Sequence, residues 1–341
     1  MKMPADTPVQ AALQIATVFT VPVEGGSLKQ ILDLVFTASA APKKSVLWIV
    51  TANPENLLEA RRRPDYAETL KQADYRSVDG VGLQALLRVV GVNVARVTGV
   101  ELAEALIHEA AKQHWKVGFM GGDPGIAQKT ADHWQAREPG LQVAFEEGGK
   151  IAPDGTGDAA EEEAVHRLVL EAPDVLFVAF GSGGAKQEQW ILRRLSDFPS
   201  LKVIVGVGGA FDFWTGRIRR APSFMQKVGL EWLWRLLQQP KRIGRIIRAT
   251  VFFPVFFLLD AFKQGGDLRK KALYFLTIIL RIIFILFVLA PAVYRYGRFV
   301  LGNGIAHYPW GLSDLIIPLV IFVVSYPVVV FLYRLKYPKS L

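Results

Sequence analysis

A chain of 341 residues has room for a substantial core and for roughly two or three structural units, which excludes a single small module. Half of the residues are hydrophobic and the mean hydropathy is +0.25, too high for a purely soluble enzyme and too low for a polytopic transporter, so apolar residues must be concentrated locally. With no cysteine and five scattered histidines the chain offers neither disulfides nor thiolate or H-E-x-x-H metal sites, and a net charge of +9 suits a polyanionic partner.

The first forty residues are weakly periodic and suit an edge hairpin or a capping helix. From about Lys44 to Val207 short β-branched apolar runs alternate with stretches of helical spacing, the pattern of βα units around a mainly parallel sheet. Strands are expected at Val46–Thr51, Lys116–Met120, Leu141–Phe145, Val175–Ala179 and Val203–Val207. Helices are expected at Asn53–Ala60, Pro64–Gln72, Val81–Val90, Val100–Gln113, Pro124–Arg137, Ala159–Leu170 and Lys186–Leu195. Pro124 fits a helix start, where its fixed φ and missing N–H cost little.

After Arg220 the composition changes. Gly229–Gln239 reads as a Trp- and Leu-rich helix, followed by the basic run Lys241, Arg242, Arg245 and Arg248. The apolar stretch Thr250–Phe262, broken by Pro254, is too short to cross a bilayer and is expected to pack on the core or lie in the interface. Ala272–Tyr294 and Leu312–Tyr333 are long enough to cross a hydrocarbon layer of roughly 30 Å and read as a transmembrane hairpin; the competing reading is a pair of buried helices. Arg281 interrupts the first span, a costly placement without a partner or head group to meet it. Arg269, Lys270 and Lys271 before the first span, with Arg334, Lys336 and Lys339 after the second, place both ends in the cytoplasm. The N-terminus shows no basic segment leading into an apolar core and cleavage site, so the body of the protein is expected in the cytosol. Because the basic residues precede the most apolar part of the chain, lipid and not nucleic acid is the expected polyanion. The expected organisation is an α/β domain over 1–240 with a Rossmann-like, mainly parallel sheet and flanking helices, a basic juxtamembrane appendage over 241–271 and the transmembrane pair over 272–341.

Three glycine-rich turns stand at predicted strand ends: Gly121-Gly122-Asp123-Pro124-Gly125, Gly181-Ser182-Gly183-Gly184 leading into Lys186-Gln187-Glu188, and Gly206-Val207-Gly208-Gly209. In a parallel sheet these gather at one edge, where open α/β folds bind ligands and backbone N–H groups suit a phosphate. Each reads equally as a tight connection. None matches G-x-G-x-x-G with an acidic residue about twenty positions on, so a nicotinamide-dependent oxidoreductase is not supported. Asp79 sits at a strand-to-helix turn, either as a helix cap or as a general base. Asn53 and Glu55 are either a cap pair or ligand-binding groups, Arg96 a solvated charge or a phosphate contact, and Asp212 a buried structural acid or a functional one.

Taken together, Thr51-Ala-Asn-Pro-Glu55, Val78-Asp-Gly-Val-Gly82, Arg96-Val-Thr-Gly99, Gly121-Gly-Asp-Pro124, Lys186-Gln-Glu188, Gly206-Val-Gly-Gly-Ala-Phe-Asp-Phe213, Arg220-Ala-Pro222 and Gly229-Leu-Glu-Trp-Leu-Trp-Arg235 resemble the WecG/TagA/CpsF glycosyltransferases (glycosyltransferase family 26). The resemblance runs from about Val46 to Pro240. It implies an inverting, metal-independent transfer, without a cofactor, from a UDP-sugar such as UDP-N-acetylmannosamine to a polyprenyl-diphosphate-linked sugar in surface polysaccharide assembly. It also implies self-association and a catalytic domain facing the cytoplasm at a bacterial inner membrane. Asp79 falls on the family's proposed base, Thr51 and Asn53 on pocket positions, and Gln187, Arg96 and Arg220 are the nominees to stabilise the departing diphosphate. Glu188, Gly121, Gly122, Gly181, Gly208, Gly209 and Asp212 complete the expected donor and acceptor site, and Lys241, Arg242, Arg245 and Arg248 are expected at the lipid diphosphate. The Gly181–Glu188 loop lacks the family's Pro and is longer, Glu101 stands where an Asp is common, and Arg-Ser-Val precedes Asp79 where a Pro is common. A catalytically silent nucleotide-sugar-binding scaffold of a polysaccharide assembly complex is the alternative, resting on that altered loop.

Overall fold

The strands are β1 (Gln14–Val18), β2 (Val21–Gly25), β3 (Leu47–Ala52), β4 (Tyr75–Val78), β5 (Val117–Gly121), β6 (Val143–Glu146), β7 (Val175–Ala179) and β8 (Val203–Gly206). They form one sheet in the order β1-β2-β4-β3-β8-β7-β5-β6, antiparallel only between β1 and β2. The structure is a computed structural model and describes residues 13–41, 46–181, 185–227 and 231–264. Central strands β3, β7 and β8 are Val-, Ile-, Leu- and Phe-rich with both faces buried, as a parallel sheet covered by helices on both sides requires. The N-terminal segment supplies both an antiparallel edge hairpin and a helix, α1 (Leu28–Ala40), closed by a capping box between Ser27 and Gln30.

The remaining helices of the α/β body are α2 (Pro54–Arg62), α3 (Pro64–Gln72), α4 (Val81–Val89), α5 (Gly99–Lys112), α6 (Ile126–Arg137), α7 (Ala159–Leu170), α8 (Lys186–Arg194) and α9 (Ala210–Trp214). Two local expectations are corrected. Helix α6 begins at Ile126 instead of Pro124, because Gly125 takes a left-handed φ of +78° and so ends the turn before the helix starts. Strand β4 was absent from the expected strands, since Arg76 and Ser77 leave no apolar run to read. Both are nevertheless buried, Arg76 because Glu24 of β2 pairs with its guanidinium.

Packing fixes the elements that carry the site. Phe211 and Trp214 of α9 lie against Phe119 and Phe177 of the sheet, with ring centroids 5.7 to 6.4 Å apart, and Trp214 also meets Trp134 edge-on at 5.4 Å. This wedge pins the chain just after the end of β8. Helix α8 is held from behind by Glu161 of α7, whose fully buried carboxylate accepts Trp190 Nε1 at 2.5 Å and Arg194 Nη2 and Nε at 2.7 and 3.0 Å. Glu161→Ala strands Trp190 Nε1 and leaves Arg194 with Asp197 alone, and is expected to cost about 3 kcal/mol of stability, measured as a shift in urea midpoint.

Beyond the sheet come α10 (Ser223–Lys227), α11 (Glu231–Gln238), a short 3₁₀ turn and a continuous helical run made of α12 (Ile243–Ile247), a π turn (Arg248–Phe252) and α13 (Phe253–Gln264). Pro254 explains the π turn: it has no N–H to donate and its ring crowds the carbonyl four residues back, so the helix widens just before it. Phe253, Phe257, Leu258 and Ala261 are buried and Phe253 meets Phe19 edge-on at 5.6 Å, so the Thr250–Phe262 stretch packs on the core. Among the described residues no helix is long and apolar enough to cross a membrane. The expected spans Ala272–Tyr294 and Leu312–Tyr333, with Arg281, lie outside the described residues, as do Ser182, Gly183 and Gly184 of the altered loop.

Candidate functional site

The chain leaves β3 toward β4 on one side, while β5, the next strand in sequence, lies beyond β8 and β7 on the other. The carboxyl ends of β4, β3 and β8 therefore border a crevice where the connections diverge, the usual ligand position of an open α/β sheet. A cleft of about 440 Å³ opens there, bounded by those strand ends, the start of α8, and α11 with the turns that follow it.

Asp79 is delivered by the end of β4. Its N–H still donates to Ala52 O of β3 at 2.8 Å, and Gly80, at a φ of +97°, then turns the chain into α4. Gly80 occupies the cap position of that helix and no side chain caps it, so the Asp79 carboxylate is not consumed by its own helix. It accepts instead from Gly99 N of α5 at 3.5 Å, while Thr98 and Glu101 form the capping box of α5. Glu101 is thus long enough to close that box where the family resemblance led one to expect Asp. Burial pushes the Asp79 pKa from 3.8 up to about 6; the Gly99 N–H and Arg96 oppose the rise, and Glu231 and Glu101 add to it. A partly exposed carboxyl titrating near neutrality has the properties of a general base.

The floor is a hydrogen-bonded set. Thr51 Oγ1 donates to Gly206 O at 3.3 Å. Asn53 caps α2, accepting from Glu55 N and Asn56 N at 2.9 and 3.1 Å. Gln187 crosses the end of β8: its Oε1 accepts from Gly208 N at 3.1 Å and its Nε2 donates to Glu188 Oε1 at 2.9 Å. Glu188 also accepts from Tyr66 OH at 2.9 Å, and burial raises its pKa despite these bonds. A methyl group at Gly206 would stand 2.3 Å from Gln187 Nε2. Gly206→Ala is therefore expected to swing Gln187 aside and lower turnover about tenfold by freeing the Gly208 turn, a loss read in kcat at saturating substrate with little change in the thermal midpoint.

Five arginines line the cleft: Arg96, Arg220, Arg235, Arg242 and Arg245. Arg220 reaches Glu104 at 3.4 Å while its buried Nε has no partner among the described residues. Arg235 lies over the Phe213 ring at 4.5 Å, its Nε is likewise buried without a partner among the described residues, and burial lowers its pKa. Burial, followed by the charges of Arg235 and Arg245, brings Arg242 down to about 10. Arg245 pairs with Glu55 at the start of α2. Arg235 and Arg242, desolvated and disfavoured further by neighbouring arginine charge, have the chemistry to receive a polyanion, whose arrival relieves that repulsion.

Of the residues singled out in the sequence, Asp79, Thr51, Asn53, Arg96, Gln187, Glu188, Gly208, Gly209, Arg220, Arg242 and Arg245 line this cleft. Gly121, Gly122, Gly181, Asp212, Lys241 and Arg248 do not. Gly121 and Gly122 serve packing, since an added Cβ would stand 2.8 Å from Phe180 and 2.9 Å from Ile126. Asp212 accepts from Arg217 at 3.4 Å beside the cleft. Arg235 and Glu231, which the sequence offered only as part of the Gly229–Arg235 motif and without a role in the site, also line the cleft, and their i,i+4 spacing in a Trp- and Leu-rich helix puts both on one face. Among the described residues no group of three His, Asp or Glu is placed to hold a metal ion.

The family model described as the glycosyl transferase WecG/TagA/CpsF family matches residues 16–267. Three proteins of Staphylococcus aureus, from strains MRSA252, MW2 and COL, are each 33% identical to the chain over 227 residues, 66% of this chain and 85% of theirs. Each bears the name N-acetylglucosaminyldiphosphoundecaprenol N-acetyl-beta-D-mannosaminyltransferase.

Proposed function

This chain belongs to the WecG/TagA/CpsF family of glycosyltransferases, and on that premise we propose that it transfers an N-acetylmannosamine-like or related hexose from a UDP-sugar to a polyprenyl-diphosphate-linked sugar. The observation that carries the reading is the pairing of one raised-pKa carboxyl, Asp79, with a desolvated arginine cluster in a single cleft. The acceptor hydroxyl attacks the anomeric carbon from the face opposite the diphosphate, and Asp79 takes its proton as the new C–O bond forms. The bond from the anomeric carbon to the β-phosphate oxygen breaks with its electron pair, and UDP leaves. Arg235, Arg242 and Arg220 stabilise the charge that collects on that oxygen, and the Gly208 turn, braced by Gln187, holds the donor.

A lipid-borne acceptor requires the cleft to lie at a membrane. Ile243, Ile247 and Val251 recur every fourth residue and are exposed, with Lys241 and Arg248 among them, which supports an appendage lying on an anionic lipid surface. The spans 272–294 and 312–333 anchor the chain there, with the catalytic domain on the cytoplasmic face of a bacterial inner membrane. The test uses the full chain in membranes, UDP-N-acetylmannosamine and other UDP-hexoses, and a short-chain lipid diphosphate carrying N-acetylglucosamine. The expected product is heavier by one sugar, with UDP released only when acceptor is present. Binding of UDP-sugars without transfer to any acceptor would defeat the proposal.

A further inference from the structure

The cleft holds about 440 Å³, a volume for one nucleotide sugar, so the acceptor needs adjoining space. A second cavity of about 470 Å³ shares Glu55, Asn56 and Arg245 with the cleft as a common wall. Its other walls differ in chemistry from the cleft. Leu58 of α2 and the stacked rings of Phe252 and Phe256, 6.3 Å apart, make an apolar side. Arg248 stands at the rim, exposed, and its guanidinium has no ion-pair or hydrogen-bond partner among the described residues. Arg61 is already held by Asp260 at 3.6 Å and by the face of Phe256 at 4.3 Å, which fixes that ring as part of the wall. Phe252 remains 47% exposed, so its ring is open to a ligand that enters the cavity.

A cavity with one apolar side, whose lining Glu59 is already paired with Arg62 and whose rim carries the Arg248 cation, separated from the proposed catalytic cleft by Glu55, Asn56 and Arg245, has the chemistry to receive an anion that carries a hydrocarbon chain. We infer that this cavity seats the first carbons of the acceptor's chain, with the acceptor diphosphate at the Arg245 wall and the Arg248 rim; the inference rests on the transferase reading above. The sugar beyond the diphosphate then reaches across the wall toward Asp79. The cavity would thus act as a ruler for the acceptor, rewarding a chain long enough to reach Phe252 and Phe256 and ignoring further carbons that extend into the lipid.

The test measures kcat/KM for acceptors that share one diphospho-sugar head and carry alkyl chains lengthened from methyl upward, using the full chain in neutral detergent with saturating UDP-sugar. The wild type is expected to gain on the order of tenfold over the first few carbons and then level off. Phe252→Ser and Leu58→Ser, which reach the cavity from two separate elements, are expected to flatten that gain. Calorimetric binding of UDP by each variant checks that its cleft is intact, and a variant that has lost UDP binding is replaced by the other. A chain-length profile unchanged in the UDP-binding variants overturns the inference. So does a profile that tracks added anionic phospholipid instead of acceptor chain length, which would make the cavity a site for bulk lipid. Absence of turnover with every acceptor in the wild type overturns the transferase reading itself.

Discussion

Asp79→Asn is expected to lower turnover by about 10²–10⁴-fold and, in the same protein, to make the fold more stable above pH 6. The first effect follows from losing the only acceptor for the incoming hydroxyl's proton that the proposed mechanism uses. Asn keeps the size of the side chain and can still accept from Gly99 N–H through its carbonyl oxygen, so the loss reports proton transfer and not collapse of the turn. The wild-type kcat/KM should rise with pH up to about 6, where the Asp79 carboxyl ionises, and stay level above, and the variant should lack that acid limb. The second effect has the sign of linkage. Burial raises the folded-state pKa from 3.8 to about 6, so the folded protein keeps a proton that the unfolded chain has already released. Wild-type stability is therefore lost as pH climbs through that interval. An uncharged amide is spared the penalty, of about 2–3 kcal/mol when complete. Urea midpoints at pH 4 should nearly coincide for the two proteins and should favour the variant at pH 7.5. A variant with full activity removes Asp79 as the base, whereas equal midpoints at both pH values remove the desolvated carboxyl.

How far the sequence carries depends on whether a contact is local. The strands around Leu47–Val50, Val175–Ala179 and Val203–Val205 are readable because both faces are buried and every residue there is apolar. Strand β4 is equally buried but holds Arg76, whose partner Glu24 lies 52 residues earlier, and no local pattern announces such a pair. Burial raises the Glu24 pKa while Arg76 opposes the rise, so this polar contact is held at a cost that only the assembled sheet explains. The site behaves likewise. Glycine turns mark strand ends correctly, yet they do not say which slot a strand takes. Because β5 lies beyond β7, Gly121 and Gly122 end up away from the crevice while Gly208 and Gly209 border it. Arg242 and Arg245 read as a lipid-facing basic run, but the helical segment after them docks back on α2 and α4, which turns both into the cleft.

Arg235→Gln is expected to reduce kcat/KM for the nucleotide sugar by about 10²-fold, with Arg235→Lys recovering little of it. The guanidinium lies over the Phe213 ring, and a Cβ at Gly209 would stand only 3.1 Å from its Nη2, so the turn after β8 is open to this side chain because it has no side chain of its own. Trp234 Nε1 and Gln238 Nε2 both donate to Arg219 O, at 2.9 and 2.8 Å, and so fix the helix that carries Arg235 against the chain leading to Arg220. An ammonium at this position has neither the planar face for Phe213 nor a forked set of donors for a diphosphate. Burial already disfavours the charge on Arg235, and Arg242 is disfavoured further by its arginine neighbours, so removing one cation should not destabilise the empty protein. What it removes is attraction for the ligand that offsets their repulsion. Calorimetry separates these contributions: affinity for UDP should fall at least about tenfold in Arg235→Gln, more steeply at low salt than at high, while affinity for uridine, which lacks the diphosphate, stays the same. If UDP and uridine weaken together, Arg235 shapes the pocket and does not bind the anion; if neither weakens, the charge on the departing diphosphate is met elsewhere among the arginines of the cleft.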